Sequence, residues 1–192
     1  APTDLALALD YRIRHLLVDE FQDTSFNQHQ LLRRLTAGWQ PGDGHSLFLV
    51  GDPMQSIYRF READVGLFLD ASSRGLGAVP LEFLQLSVNF RSQQGVVEWI
   101  NQSFPQVLPA ANLISEGAVC YAPSTAFHSL LNGPAVTAHP LLMTGDSGAV
   151  YAAEAEQVVA LVQQARAEPP DGSTAILVRG RSHLVDVVEQ LR

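Results

Sequence analysis

Leu5, Leu9 and Ile13 recur at helical spacing near the start of the chain and predict a short helix over Thr3–Ile13. The pattern then changes. Leu16-Leu17-Val18 is a continuous apolar run that stops abruptly at Asp19-Glu20. A buried parallel strand has this form when it delivers carboxylates to its exposed C-terminal end. Ser25 precedes Gln28 by three residues, the spacing of a capping box, and Leu31, Leu32 and Leu35 form a stripe that predicts a helix over Phe26–Ala37. Pro41-Gly42-Asp43-Gly44 closes that connection. Ser46–Val50 reads as a second apolar strand, ending in Gly51-Asp52-Pro53. Strand, helix, strand at this spacing is a βαβ crossover. Both strands then end on one edge, which brings Asp19, Glu20 and Asp52 to a common rim.

Further along, Val65, Leu67, Phe68 and Leu69 predict a helix over Ala63–Ala71, and the alternation in Leu81–Leu86 predicts a strand. Ser92 is placed to cap a helix over Gln93–Phe104, with Val96, Val97 and Ile100 inward. Pro105–Thr125 has little periodicity and reads as an irregular connection. Ala135–Met143 is expected as a strand interrupted near Pro140, Ala152–Ala167 as a helix and Ala175–Val178 as a strand. Ser182 then precedes Leu184, Val187, Val188 and Leu191, the spacing of a last helix. The fold class that follows is α/β with a parallel sheet.

Composition narrows the chemistry. Of the 192 residues 46% are apolar, enough for a core, and no run approaches a membrane span of about 20 residues. No membrane partner is expected. One cysteine, Cys120, excludes an internal disulfide and fits a cytoplasmic setting. The net charge of −8 argues against a broad basic surface for nucleic acid but leaves room for a narrow groove of stacking rings and a few arginines. Every one of the 12 basic residues is arginine. A phosphate-cradling Walker A loop needs a lysine, so this chain cannot contain one. The histidines are scattered without metal-ligand spacing, which argues against a zinc site.

The residues themselves suggest two kinds of chemistry. At a sheet rim, one carboxylate can help hold Mg²⁺ and its neighbour can orient or deprotonate a water. A solvated acidic loop is the plainer alternative. In Gln55-Ser56-Ile57-Tyr58-Arg59-Phe60-Arg61, aromatics interleave with arginines. Tyr58 and Phe60 either pack into the core, which composition alone favours, or form a platform on which single-stranded bases stack. Arg91, just before a predicted helix N-terminus, is suited to a phosphate or to pairing with a surface carboxylate.

Three stretches together resemble the UvrD/Rep-type superfamily 1 DNA helicases. Val18-Asp19-Glu20-Phe21-Gln22-Asp23-Thr24 is similar to the Walker B motif of that family. Gly51-Asp52-Pro53-Met54-Gln55-Ser56-Ile57-Tyr58-Arg59-Phe60-Arg61 is similar to its third motif, and Asn89-Phe90-Arg91-Ser92 to its fourth. Ala175–Ser182 is a weaker match to a segment of the second motor domain. The resemblance implies partial RecA-like P-loop NTPase folds, with residues 1–88 in the first motor domain and 89–192 in the second. It implies ATP and Mg²⁺ as cofactors. Asp19 would help hold the metal, Glu20 would activate water, Gln55 would sense the γ-phosphate, and Arg91 would act as an arginine finger. Tyr58 and Phe60 would stack on single-stranded DNA with Arg61 beside them, which reverses the composition-only preference. Translocation in this family runs 3′ to 5′, in DNA repair and recombination, with single-stranded and duplex DNA as partners.

Departures refine the resemblance. Phe60 stands where many members have Trp, Glu62 where Gly is common, and Phe90 where Tyr is common. Phe60 and the Val97–Asn101 segment look more like the helicase–nuclease branch (RecB/AddA-like), which implies subunits of a helicase–nuclease complex as partners. The Walker A loop, the adenine-contacting glutamine motif and the late arginine-finger motif are absent. The chain therefore reads as an internal piece of a larger motor, expected to hydrolyse no ATP alone. Two other readings compete: a non-enzymatic, truncated helicase-like interaction module, and an unrelated Mg²⁺-dependent hydrolase using Asp19, Glu20 and Asp52. The second leaves Gln55–Arg61 and Arg91 without a role.

Overall fold

A computed structural model of the chain describes residues 13–142, 147–167 and 172–191. It is a mixed α/β structure with two small parallel sheets. Its contacts divide it into two compact units, Ala1–Val136 and Thr137–Arg192. The helix expected over Thr3–Ile13 lies outside the described residues as far as Arg12, and Ile13 itself is not helical.

In the first unit, β1 (His15–Val18) pairs in parallel with β2 (Ser46–Leu49), Leu17 facing Phe48 in register. The crossover between them carries α1 (Phe26–Leu35). The capping box expected from the sequence is present: the Ser25 hydroxyl accepts from the Gln28 N–H, and Gln28 Oε1 accepts from the Ser25 N–H at 2.9 Å. Two hydrogen bonds clamp the strand ends together. Val50 N–H donates to the Val18 carbonyl (2.8 Å), and Phe21 N–H returns to the Val50 carbonyl (2.9 Å). The two carboxylate-bearing loops are therefore fixed at one rim, as the crossover required.

Burial along both strands alternates rather than being continuous. Val18, Leu47 and Leu49 face a core of Phe21, Ala71 and Leu76, joined by Leu32, Phe68 and Leu81. Leu17 and Phe48 occupy the opposite face and are 73% and 54% exposed. Among the described residues only one face of this sheet is covered. α2 (Val65–Arg74) supplies Phe68 and Ala71 to the core and starts at Asp64, whose carboxylate accepts from Gly66 N–H (2.9 Å).

Leu81–Leu86 does not form a strand. Only Leu81 reaches the core, and Leu84 and Leu86 are exposed. A strand needs a ladder partner, and alternation alone does not supply one. The strand falls instead at β3 (Val88–Gln93), paired in parallel with β4 (Thr125–His128), which the sequence did not predict. α3 (Gln94–Ser103) follows at once. Its cap is Gln93, whose Oε1 accepts from Gly95 N–H (2.8 Å); the expected cap, Ser92, remains in the strand. The register shifts between Asn89 and Gln93, where the Asn89 side chain accepts from the N–H groups of Arg91 (2.9 Å) and Ser92 (2.8 Å).

In the second unit, α4 (Ser147–Ala167) and α5 (Val185–Gln190) pack together and bury Ala155, Val159 and Val187. A 3₁₀ turn, Arg181–Leu184, leads into α5, and Ser182 does not cap it. The strands expected at Ala135–Met143 and Ala175–Val178 are absent among the described residues; the first extends to Met143, which lies outside them. No helix among the described residues is long and apolar enough to cross a membrane.

Candidate functional site

The rim is organised by one buried side chain. Glu20 follows β1 with a left-handed backbone (φ 50°, ψ 40°), which turns the chain sharply into the 3₁₀ turn Phe21–Asp23. Phe21 goes into the core, and Gln22, 1% exposed, lies beneath the rim. Gln22 Nε2 donates to Glu20 Oε2 (2.7 Å) and to Asp23 Oδ2 (3.2 Å). Its Oε1 accepts from the Asp52 N–H (3.1 Å), and its carbonyl accepts from the Ser56 hydroxyl (3.4 Å). One residue thereby ties the carboxylate loop after β1 to the loop after β2. Gly51 makes the approach possible. A Cβ there would collide with Gln22 Oε1 and lie 3.1 Å from Phe21 N.

On the other side of the clamp, Asp52 organises its own loop. Its Oδ1 accepts from Met54 N–H (3.0 Å) and its Oδ2 from Gln55 Nε2 (2.8 Å). Gln55 is exposed at the end of the turn Pro53–Gln55. Asp19 is also exposed, with Oδ1 accepting from the Glu20 N–H (2.9 Å). Among the described residues no three His, Cys, Asp or Glu side chains converge as a metal cage. One exposed carboxylate fits Mg²⁺ chemistry nonetheless, because that ion commonly takes one or two carboxylates and fills its shell with water and phosphate oxygens.

The loop continues into an aromatic platform. Tyr58 and Phe60 are 37% and 76% exposed, with ring centroids 5.8 Å apart. Composition alone favours their packing into the core; both rings are at the surface. The Arg61 guanidinium carbon lies 5.1 Å from the Tyr58 centroid and 5.5 Å from that of Phe60, within cation–π range of both. A 3₁₀ turn, Arg59–Arg61, holds this geometry, with Arg61 N–H donating to the Tyr58 carbonyl (2.8 Å). Glu62 ends the turn in a left-handed conformation (φ 65°). An isolated bridge between Ser25 and buried Ala63 anchors the loop beside the start of α1.

Arg91 precedes the start of α3, as expected, but one residue further from it: it lies within β3, two residues before the Gln93 cap. Its side chain is exposed and makes no hydrogen bond or ion pair with the rim or the platform. The structure thus links Asp19, Glu20, Asp52 and Gln55 in one network and Tyr58, Phe60 and Arg61 in a second on the same loop, and it leaves Arg91 outside both. Sequence reasoning gave Gln22 no role. The available signal was an amide inside an otherwise acidic or apolar turn next to a rim.

Comparison with known proteins agrees with these motifs. Residues 2–74 match the UvrD/REP helicase N-terminal domain. An ATP-dependent helicase/nuclease subunit of Pelotomaculum thermopropionicum is 41% identical over 122 residues, which is 61% of this chain and 9% of that protein. The subunit of the same name from Desulfitobacterium hafniense (strain Y51) is 38% identical over 136 residues, 67% of this chain and 10% of that protein. Exonuclease/helicase subunit RexA of Lactococcus lactis is 40% identical over 94 residues, 48% of this chain and 7% of that protein. The match therefore spans a tenth or less of these relatives. Their names are those of the helicase–nuclease branch that the sequence resembles.

Proposed function

We propose that this chain, whose residues 2–74 match the UvrD/REP helicase N-terminal domain, is a working segment of an ATP-dependent 3′–5′ DNA helicase motor. In this reading it carries the end of one RecA-like domain, up to about Val88, and the beginning of the next. Asp19 would help hold Mg²⁺, which when bound would neutralise phosphate charge. Glu20 accepts the proton of the attacking water, and Gln55 donates its amide to the γ-phosphate. Arg91 reaches the same phosphate as an arginine finger when the motor closes. Tyr58 and Phe60 stack on successive bases of a single strand, and Arg61 meets the backbone between them. DNA is the substrate track, and the subunits of a helicase–nuclease complex are the protein partners.

The observation that carries this reading is the unbroken run from the carboxylates to the exposed rings. Glu20 is hydrogen-bonded to Gln22, Gln22 to Asp52 and Asp52 to Gln55, and the platform begins three residues later. A change at the hydrolytic rim thereby has a direct covalent and hydrogen-bonded route to a surface built for stacking. Such a surface suits a track that must be held without sequence preference, because every base has a π-face.

The test is single-stranded-DNA-stimulated ATP turnover by the full-length polypeptide that contains this segment. Glu20→Gln is expected to lower kcat on the order of 10²–10⁴-fold, the usual contribution of a general base. Arg91→Ala is expected to lower it by a factor of order 10³–10⁵, the range for arginine fingers in related phosphoryl transfers. Turnover within a few-fold of the parent after Glu20→Gln would overturn the assignment. The 192-residue chain by itself is expected to turn over no ATP, because it has no lysine with which to complete a phosphate loop.

A further inference from the structure

Gln22 is the most thoroughly engaged polar side chain at the rim, and the proposed hydrolytic roles leave it unused. Buried to 1% exposure, it uses both ends of its amide. Both Nε2 protons are directed at carboxylates, Glu20 at 2.7 Å and Asp23 at 3.2 Å, while Oε1 receives the Asp52 N–H at 3.1 Å. An amide is the neutral group suited to this place. It donates to two carboxylates at one end and accepts a backbone N–H at the other, whereas a hydroxyl has a single proton to donate and an ionised carboxylate has none. A purely structural plug would not need its donor end on a rim carboxylate that is otherwise exposed to solvent. Glu20 also has a left-handed backbone, so its side-chain direction depends on what holds it there.

We propose that Gln22 is a positioning residue: it holds the Glu20 carboxylate in line for water only while the Asp52–Gln55 loop is seated against it. This rests on the assignment of Glu20 as the general base. Its consequence is a conditional base. When the Asp52–Gln55 loop moves away, the Asp52 N–H leaves Gln22 Oε1, the amide is released, and Glu20 loses its aim. Hydrolysis then depends on the position of the loop that carries the aromatic platform. The Gly51 contact enforces the same condition from below, since any side chain at residue 51 would push the two loops apart.

The experiment is single-turnover and steady-state ATPase kinetics of the full-length polypeptide with Gln22→Met, Glu20→Gln and the double variant. Met keeps the length of Gln and removes the amide's hydrogen bonds. Misplacing a catalytic group by about 1 Å can cost about 10²-fold. Gln22→Met is therefore expected to lower kcat by at least about tenfold, with KM for ATP changed by less than about threefold. In the Glu20→Gln background the same substitution is expected to add less than about a twofold loss, because a residue acting through Glu20 has nothing left to position. Gln22→Leu provides a second comparison if the Met variant folds poorly. It fills the buried site without an amide, leaves Glu20 without its donor, and should show the same kcat loss. Full kcat in a folded Gln22→Met variant, or a loss that multiplies with that of Glu20→Gln, would overturn this inference and leave the assignment of Glu20 intact. An inert Glu20→Gln substitution would instead sink the assignment of Glu20, and this inference with it.

Discussion

Two described non-glycine residues have left-handed backbones, Glu20 and Glu62, and they differ in what they gain from it. Glu20 turns its side chain to the Gln22 amide. Glu62 sits after the platform and makes no side-chain hydrogen bond or ion pair. A non-glycine residue in this region costs roughly 1–2 kcal/mol, and glycine gives back about 0.4–1 kcal/mol through its freer unfolded chain. Glu62→Gly should therefore stabilise the chain by about 0.5–1 kcal/mol in urea unfolding, whereas Glu62→Ala should give no such gain. Equal stability of the Gly and Ala variants would show that the backbone at this position is not strained. His29 offers a second test at the same scale. It is buried on α1, and burial first, then the Arg33 charge, lower its pKa, while Asp70 opposes them. A folded pKa below the unfolded value means that the unfolded chain binds the extra proton first. The contribution of His29 is therefore complete above about pH 6.5 and is lost as pH falls through the lowered folded value. Thermal unfolding between pH 7 and pH 5 should show a smaller drop in Tm for His29→Leu than for the parent. An unchanged slope would remove His29 from the acid sensitivity of the fold.

At the scale of elements, α1 depends on its start more than on its face. His29 is the only residue of the helix that is fully buried, and Ser25 and Gln28 satisfy its first free N–H groups reciprocally. Ser25→Ala should cost about 1 kcal/mol, read as a lower denaturation midpoint with an unchanged m-value. The same element shows what was legible in the sequence. Capping chemistry and an uninterrupted apolar run are local signals, so β1, α1, β2 and their shared rim could be read directly. β3 and β4 could not. Their pairing joins residues 88–93 to 125–128 across an irregular stretch, and no local pattern encodes a partner that far away. Leu81–Leu86 misled for the same reason, having alternation without a ladder. The cap of α3 moved by one residue, from Ser92 to Gln93, where Asn89 bonds two N–H groups inside the strand and the helix starts at Gln94. In the candidate site, Asp19, Glu20, Asp52, Gln55, Tyr58, Phe60 and Arg61 all stand out from the chain. Gln22 does not, since its bonds with Asp52 and Ser56, which join the two loops, exist only after those loops meet.

For the whole molecule the governing fact is charge. A net charge of −8 repels a polyanion at long range, and every cation available to meet one is an arginine or a histidine. Under the proposed function, single-strand binding by this chain would have to come from short-range contact, for which the two exposed rings and the arginine lying over them are the candidate surface. The two contributions separate by salt. Each phosphate neutralised on a single strand adds about −0.7 to the slope of log K against log salt, while stacking adds nothing to it. With Arg59 and Arg61 as the cations of the platform turn, the slope should be about −1 to −2, far shallower than that of a basic groove. Phe60→Ala should weaken binding by about 1–3 kcal/mol and leave the slope unchanged. Arg61→Gln should reduce the slope by about 0.7, with a smaller loss of affinity at high salt than at low salt. Fluorescence anisotropy of a labelled oligothymidine across a salt series measures both quantities. A steep slope that Arg61→Gln does not alter would move the strand away from this platform to another surface of the protein. A slope and an affinity that respond separately to the two substitutions would mean that an acidic protein holds its track by stacking first and by charge second.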